Sequence, residues 1–128
     1  VSSKNGLSGW KLDASKKGSQ IIFKDYHKAT IDILIEDPKK AWGSGAMWEE
    51  IKERGIEISR ASVIFFLNFL VADGLAEFDD ATGKGGHHKL YRIPVSQGEV
   101  KKHIAIKVIE GLGEGLDLDL DWVLTNLI

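Results

Sequence analysis

Residues 59–93, SRASVIFFLNFLVADGLAEFDDATGKGGHHKLYRI, decide how the chain is organised. Ser59 supplies a side-chain acceptor just before an apolar run, the pattern of a helix N-cap, and Gly74 stands where a helix closes through a left-handed residue. Between them the spacing predicts a helix over 60–73. At 100° per residue, Val63, Ile64, Leu67, Leu70 and Val71 fall on one side and are assigned to the core. Beyond Gly74, Leu75 to Phe78 and Lys89 to Ile93 read as two strands, separated by a polar, glycine-rich hairpin loop over 79–88, and Pro94 stops the second.

Upstream, IIFKDYHKATIDILIE over 21–36 places Phe23, Tyr26, Thr30, Ile33 and Leu34 on one helical face, with Asp37-Pro38 as its end. The same run alternates at Ile31, Ile33 and Ile35, so a strand competes; the longer window favours the helical period. Trp42-Gly43-Ser44-Gly45 supplies a loop and an N-cap candidate. Met47, Trp48 and Ile51 then give a short helix that Gly55 terminates. Residues 1–20, rich in Ser, Gly and Lys with Leu7, Trp10 and Leu12 as apolar anchors, read as a basic N-terminal arm.

Downstream, Val100, Ile104, Val108 and Leu112 recur every four residues in a helix starting near Ser96, widened by Ile106 and Ile109, and such a stripe wants a partner. The end, LDLDLDWVLTNLI, reads as a short helix from Trp122 capped by Asp121. The organisation expected is an arm over 1–20, a domain over 21–95 and a C-terminal helical segment over 96–128. Its class is α+β, mainly α.

With 128 residues, 43% of them hydrophobic and 28% charged, the chain has the length and composition of one globular domain. No stretch approaches the roughly 18 apolar residues of a membrane span, and Val1 to Gly6 lacks the apolar region of a signal peptide, so a cytoplasmic protein is expected. The absence of cysteine excludes disulfides, thiolate zinc sites and a cysteine nucleophile. Net charge is −2, unevenly spread. Residues 1–40 carry eight basic against five acidic groups, residues 41–95 six against eight, and residues 96–128 three against six. A surface that meets phosphate should therefore avoid the C-terminal end.

Helix, short helix, tight turn, helix, strand, glycine-rich hairpin, strand is the order of a winged helix-turn-helix. The pattern Ser-Arg-x-x-Val-x-x-x-Leu-x-x-Leu, followed by Gly-Leu and a Gly-rich segment ending in Tyr-Arg, resembles winged-helix repressors of the penicillinase-repressor and multiple-antibiotic-resistance types over residues 23–95. The resemblance implies a dimeric transcriptional repressor in the cytoplasm that binds double-stranded DNA and is not an enzyme. One recognition helix per subunit would enter successive major grooves, with a two-stranded wing flanking it on the backbone. The added C-terminal helix would supply the dimer contact through Val100, Ile104, Val108 and Leu112. The competing function is a winged-helix protein-interaction module without DNA binding, motivated by the acidic tail and by exposed phenylalanines.

On the predicted reading helix, the side opposite the core holds Ala61, Phe65 and Phe69, with Ser62 and Asn68 at its margins and Arg60 in the first turn. Arginine pairs bidentately with guanine and asparagine with adenine, and serine reaches a base or a phosphate. Against these stand plainer roles: Arg60 on phosphate, Ser59 and Ser62 as cap, Asn68 solvated. Phe65 and Phe69 need covering, by thymine methyl groups, by the arm or a second subunit, or by a protein partner; burial is the preferred reading. In the hairpin, Lys84, Gly85, Gly86, His87, His88 and Lys89 form a basic, closely approachable backbone, with Arg92 nearby and Lys39 and Lys40 as further phosphate candidates. A plain turn needing positive φ also explains the glycines.

Other chemistry finds little support. Gly83-Lys84-Gly85-Gly86 lacks the GxxxxGK[ST] order of a phosphate loop. Adjacent His87 and His88 point to opposite faces of a strand without a Cys or nearby Glu to complete a set, and a metal sensor using His27 or His103 is an open alternative without support in the sequence, so no metal or other cofactor is expected. Asp117, Asp119 and Asp121 mimic the start of a calcium loop, but Trp122 and Ile128 stand where Gly and Glu are needed. The four tryptophans could line an effector pocket, although core positions are their commoner use.

Overall fold

A computed structural model describes residues 24–83, 86–116, 119 and 125–126. Within these, the elements are α1 (Asp25–Glu36), α2 (Ser44–Glu53), α3 (Arg60–Ala72), β1 (Glu77–Gly83), β2 (Gly86–Arg92) and α4 (Gln97–Leu116). The class is α+β and mainly helical, and the order is compatible with a winged-helix layout. The chain divides near residue 97 into two compact units, and the first, beginning at Phe23, holds α1 to β2.

The expected start of the first helix, including Phe23, and the basic arm lie outside the described residues. From Asp25 onward, α1 is a helix and not the competing strand: Thr30, Ile33 and Leu34 share one buried face, with Ala29 and Ile31 beside them. Thr30 is fully buried, and its hydroxyl donates to the Tyr26 carbonyl at 2.6 Å, so the only buried polar side chain in this helix is satisfied locally. Pro38 cannot continue the helix, and Asp37 accepts the Lys39 and Lys40 amides at 3.1 and 3.0 Å to turn the chain.

Two glycines end the next two helices in the same way. Gly55 has φ 85° and Gly74 φ 86°, the left-handed region that side chains with a Cβ avoid. After α2, the Gly55 amide bonds Lys52 and the Ile56 amide bonds Ile51; after α3, Gly74 bonds Val71 and Leu75 bonds Leu70. Both are Schellman closures, which satisfy carbonyls that a helix end leaves open. Ser59 caps α3 by accepting the Ser62 amide at 3.1 Å. At α2 the N-cap is Gly43, without a side-chain bond, so Ser44 is the first helical residue and does not serve as the cap. Between the two helices, the Trp48 indole donates to the Ile58 carbonyl at 2.7 Å and pins the turn.

α2 touches α1, α3 and β2, and α3 touches β1. Their shared core holds Leu34, Met47, Ile51, Val63, Leu67, Leu70 and Ile93, all 0% exposed. The buried face of α3 is Val63, Phe66, Leu67 and Leu70, whereas Ile64 and Val71, assigned to the core from sequence, are half-buried. The helix carries apolar residues on nearly every side, so periodicity left a choice of face that packing resolved in favour of Phe66.

β1 and β2 pair antiparallel from Glu77 opposite Arg92 to Gly83 opposite Gly86. Both strands therefore run through residues read above as loop, and the connection shrinks to residues 84–85, which lie outside the described part. The outer half of the hairpin is polar and exposed on both faces, so it has no apolar alternation to betray a strand. Trp42 adds a third, one-residue rung: its amide and carbonyl exchange hydrogen bonds with Tyr91, each 2.8 Å long. This ties the chain just before α2 to the second strand.

In the second unit, α4 begins at Gln97, next to the expected Ser96, and continues past Leu112 to Leu116. Val100, Ile104 and Val108 are buried, while Ile106 and Ile109 are exposed. The Leu112 side chain lies outside the described part, as does the expected C-terminal helix from Trp122 apart from Thr125 and Asn126, which are helical. Among the described residues no helix is long and apolar enough to cross a membrane.

Candidate nucleic-acid interface

The face of α3 turned away from the core presents Ala61, Phe65, Asn68 and Ala72 to solvent. The thirteen residues of this helix carry one formal charge, that of Arg60. Arg60 lies along the first turn of α2: a methyl group added at Gly45 would sit 3.1 Å from its Nη2 and 3.4 Å from its Cζ. The guanidinium thus occupies the place where the N-termini of α2 and α3 come together. An exposed cation thus lies beside the first turns of two helices, whose N-terminal dipole ends carry partial positive charge. Gly45 carries no sequence signal of this arrangement, because the approach is tertiary.

The serines of the first turn are occupied with each other. Ser59 donates to the Ser62 hydroxyl at 2.9 Å while accepting the Ser62 amide, so the capping role weighed for both accounts for their contacts. Asn68 is held from behind: the Tyr91 hydroxyl donates to its Oδ1 at 2.7 Å. Tyr91 is 3% exposed, and burial raises its pKa, which keeps it a neutral donor. Tyr91→Phe is expected to cost about 1 kcal/mol of stability by removing this single bond between β2 and α3. Urea denaturation of Tyr91→Phe, Asn68→Ala and the double variant would measure the coupling, and a coupling near zero would rule the bond out as a link.

Phe65 and Phe69, paired in the sequence reading, part company. Phe69 is half-buried and stacks on Phe66 with centroids 6.0 Å apart at 22°, and Phe66 in turn stacks on His27 at 4.1 Å and 16°. Phe65 is 77% exposed. Of the burial preferred above, by the chain itself or by a second subunit, the chain itself covers Phe69 in part and leaves Phe65 open.

Gly86, His87, His88 and Lys89 are exposed on the hairpin. Lys89 Nζ rests 4.6 Å from the Phe78 ring centroid, a contact it can keep while its charge faces solvent. Arg92 pairs with Glu77 at 2.6 Å and Asp79 at 3.0 Å. Lys84 and Gly85 lie outside the described residues. Lys39 and Lys40 are exposed in the turn after α1, with Lys40 Nζ 3.9 Å from the Trp42 ring centroid. The Trp42 indole nitrogen is buried without a hydrogen-bond partner among the described residues. Among the described residues no group of three or more His, Asp or Glu could hold a metal ion.

No protein-family model matches this chain, and no curated protein or solved structure is significantly similar to it.

Proposed function

We propose that the chain is a cytoplasmic, dimeric transcriptional regulator, acting as a repressor, that binds double-stranded DNA through a winged helix-turn-helix. The observation that carries this reading is the placement of α3. Its inner face is buried against neighbouring elements, its outer face is open along its length, and it starts at a cation-bearing corner and is followed by an exposed antiparallel hairpin. A helix presented this way fits the major groove, and the hairpin supplies His87, His88 and Lys89 to the adjoining backbone. Arg60 contacts phosphate beside the helix N-termini, and Asn68, held by Tyr91, offers its amide Nδ2 to a base edge. Repression follows from occupancy of the site.

In this reading α4 provides the dimer contact. Val100, Ile104 and Val108 are already buried within one chain, so among the described side chains of α4 the large apolar residues open to a second copy are Ile106 and Ile109. The test is binding to random-sequence duplex DNA at about 50 and about 200 mM salt, with stoichiometry read by sedimentation. Affinity is expected to fall with salt, two chains are expected per duplex, and Arg60→Ala and Lys89→Ala should each weaken binding and lower the salt slope by about one. Absence of binding at low salt would overturn the proposal. It would favour a protein-interaction module instead, a reading for which the exposed Phe65 ring is the specific observation.

A further inference from the structure

Resting on the DNA-binding reading above, we infer that Phe65 reads the C5-methyl group of thymine in the major groove, so that the preferred sites are duplexes with a thymine beneath the middle of α3. Three observations converge. The ring is 77% exposed at the centre of the outer face, with exposed Ala61 one turn before it and Ala72 two turns after it, so the middle of the helix offers an apolar surface. The polar groups nearest it are partly engaged, since Ser59 and Ser62 bond each other and Asn68 Oδ1 accepts from Tyr91, while the Arg60 guanidinium lies beside Gly45 at the N-terminal end of the helix, away from the middle of the face. The only formal charge on α3 is positive, which suits a polyanion.

A helix entering the groove with these groups partly engaged has few hydrogen bonds to offer base edges at its middle. What remains is apolar contact, and the thymine methyl is the apolar group that the major groove presents. Covering it with a phenyl ring also removes from water the surface that the free protein exposes, which gives the uncovered ring its occupant. Discrimination here would rest on apolar burial, with the Asn68 amide as a lesser hydrogen-bonding contribution.

The test varies the DNA and leaves the protein intact. A site is selected from a random-sequence duplex pool, and each thymine in turn is replaced by deoxyuridine, which keeps the base pair and removes only the methyl. Wild-type protein is expected to bind about fourfold more weakly when the critical methyl is lost, the factor equivalent to ~0.8 kcal/mol for one buried carbon group. Phe65→Ala should bind the two duplexes alike, which separates methyl contact from any effect of uracil on DNA shape. Equal binding of thymine and uracil duplexes by wild type at every position would overturn the methyl contact and leave the DNA-binding reading standing. Failure to bind either duplex would overturn both, whereas loss of self-association in Phe65→Ala would place the ring between two copies of the chain and overturn the methyl contact alone.

Discussion

Leu67→Ala is expected to destabilise the unit that runs from α1 to β2 by about 3–5 kcal/mol. Leu67 is 0% exposed in the middle of α3, on the face shared with α2, where Met47 and Ile51 are also fully buried. Truncation removes apolar contact and leaves a cavity walled by helices whose ends are held by the Gly55 and Gly74 closures, which limits collapse around it. For a domain of this size the loss corresponds to a fall in Tm of roughly 12 °C or more. Phe65→Ala, two positions earlier on the exposed face, should change stability by no more than about 0.5 kcal/mol. Urea denaturation followed by circular dichroism would compare them, and a cost below about 1 kcal/mol for Leu67→Ala would show that this face does not carry the core.

The second large effect is an acid sensitivity set by His27. Its imidazole is held down to about 4, first by burial and then by the charge of Lys24. The geometry agrees: Nδ1 accepts the Lys24 amide at 3.4 Å at the positive end of α1, and the ring lies flat on Phe66. An unfolded histidine titrates near 6.5, so between about pH 6.5 and 4 the unfolded chain takes up a proton that the folded chain refuses. Stability from this group is therefore complete above about pH 6.5 and is lost progressively as pH falls toward 4. The full shift corresponds to about 3 kcal/mol, which solvent screening at a half-buried ring reduces to roughly 1–2 kcal/mol. His27→Phe keeps a ring for Phe66 and removes the titration. The wild type should lose more stability between pH 7 and 4.5 than the variant does, a difference that separates His27 from the carboxylates; parallel curves would refute the assignment.

The cap and closure residues were legible because their chemistry is local. Ser59 ahead of an apolar run, and Gly55 and Gly74 behind two of them, announce helix ends without reference to the rest of the chain. The helical reading of 25–36 likewise survived a competing alternation, since Thr30, Ile33 and Leu34 lie on one face at 3.6-residue spacing. The hairpin was found but drawn too short, because Asp79 to Gly83 and Gly86 to His88 pair through backbone groups that leave no mark on side-chain polarity.

What sequence by itself determined is thus the order of the elements and the places where α1, α2 and α3 stop, together with the set of side chains from which a DNA-facing surface would be drawn. Tertiary structure decided how those side chains are spent. It chose Phe66 over Ile64 and Val71 for the core, half-covered Phe69 but left Phe65 in water, set Tyr91 behind Asn68, laid Arg60 over Gly45, and drew Arg92 into ion pairs with Glu77 and Asp79. Each of these depends on groups distant in the chain, and on a helix as uniformly apolar as α3 no periodic signal exists to foretell them; only packing against α2 and the strands breaks the tie.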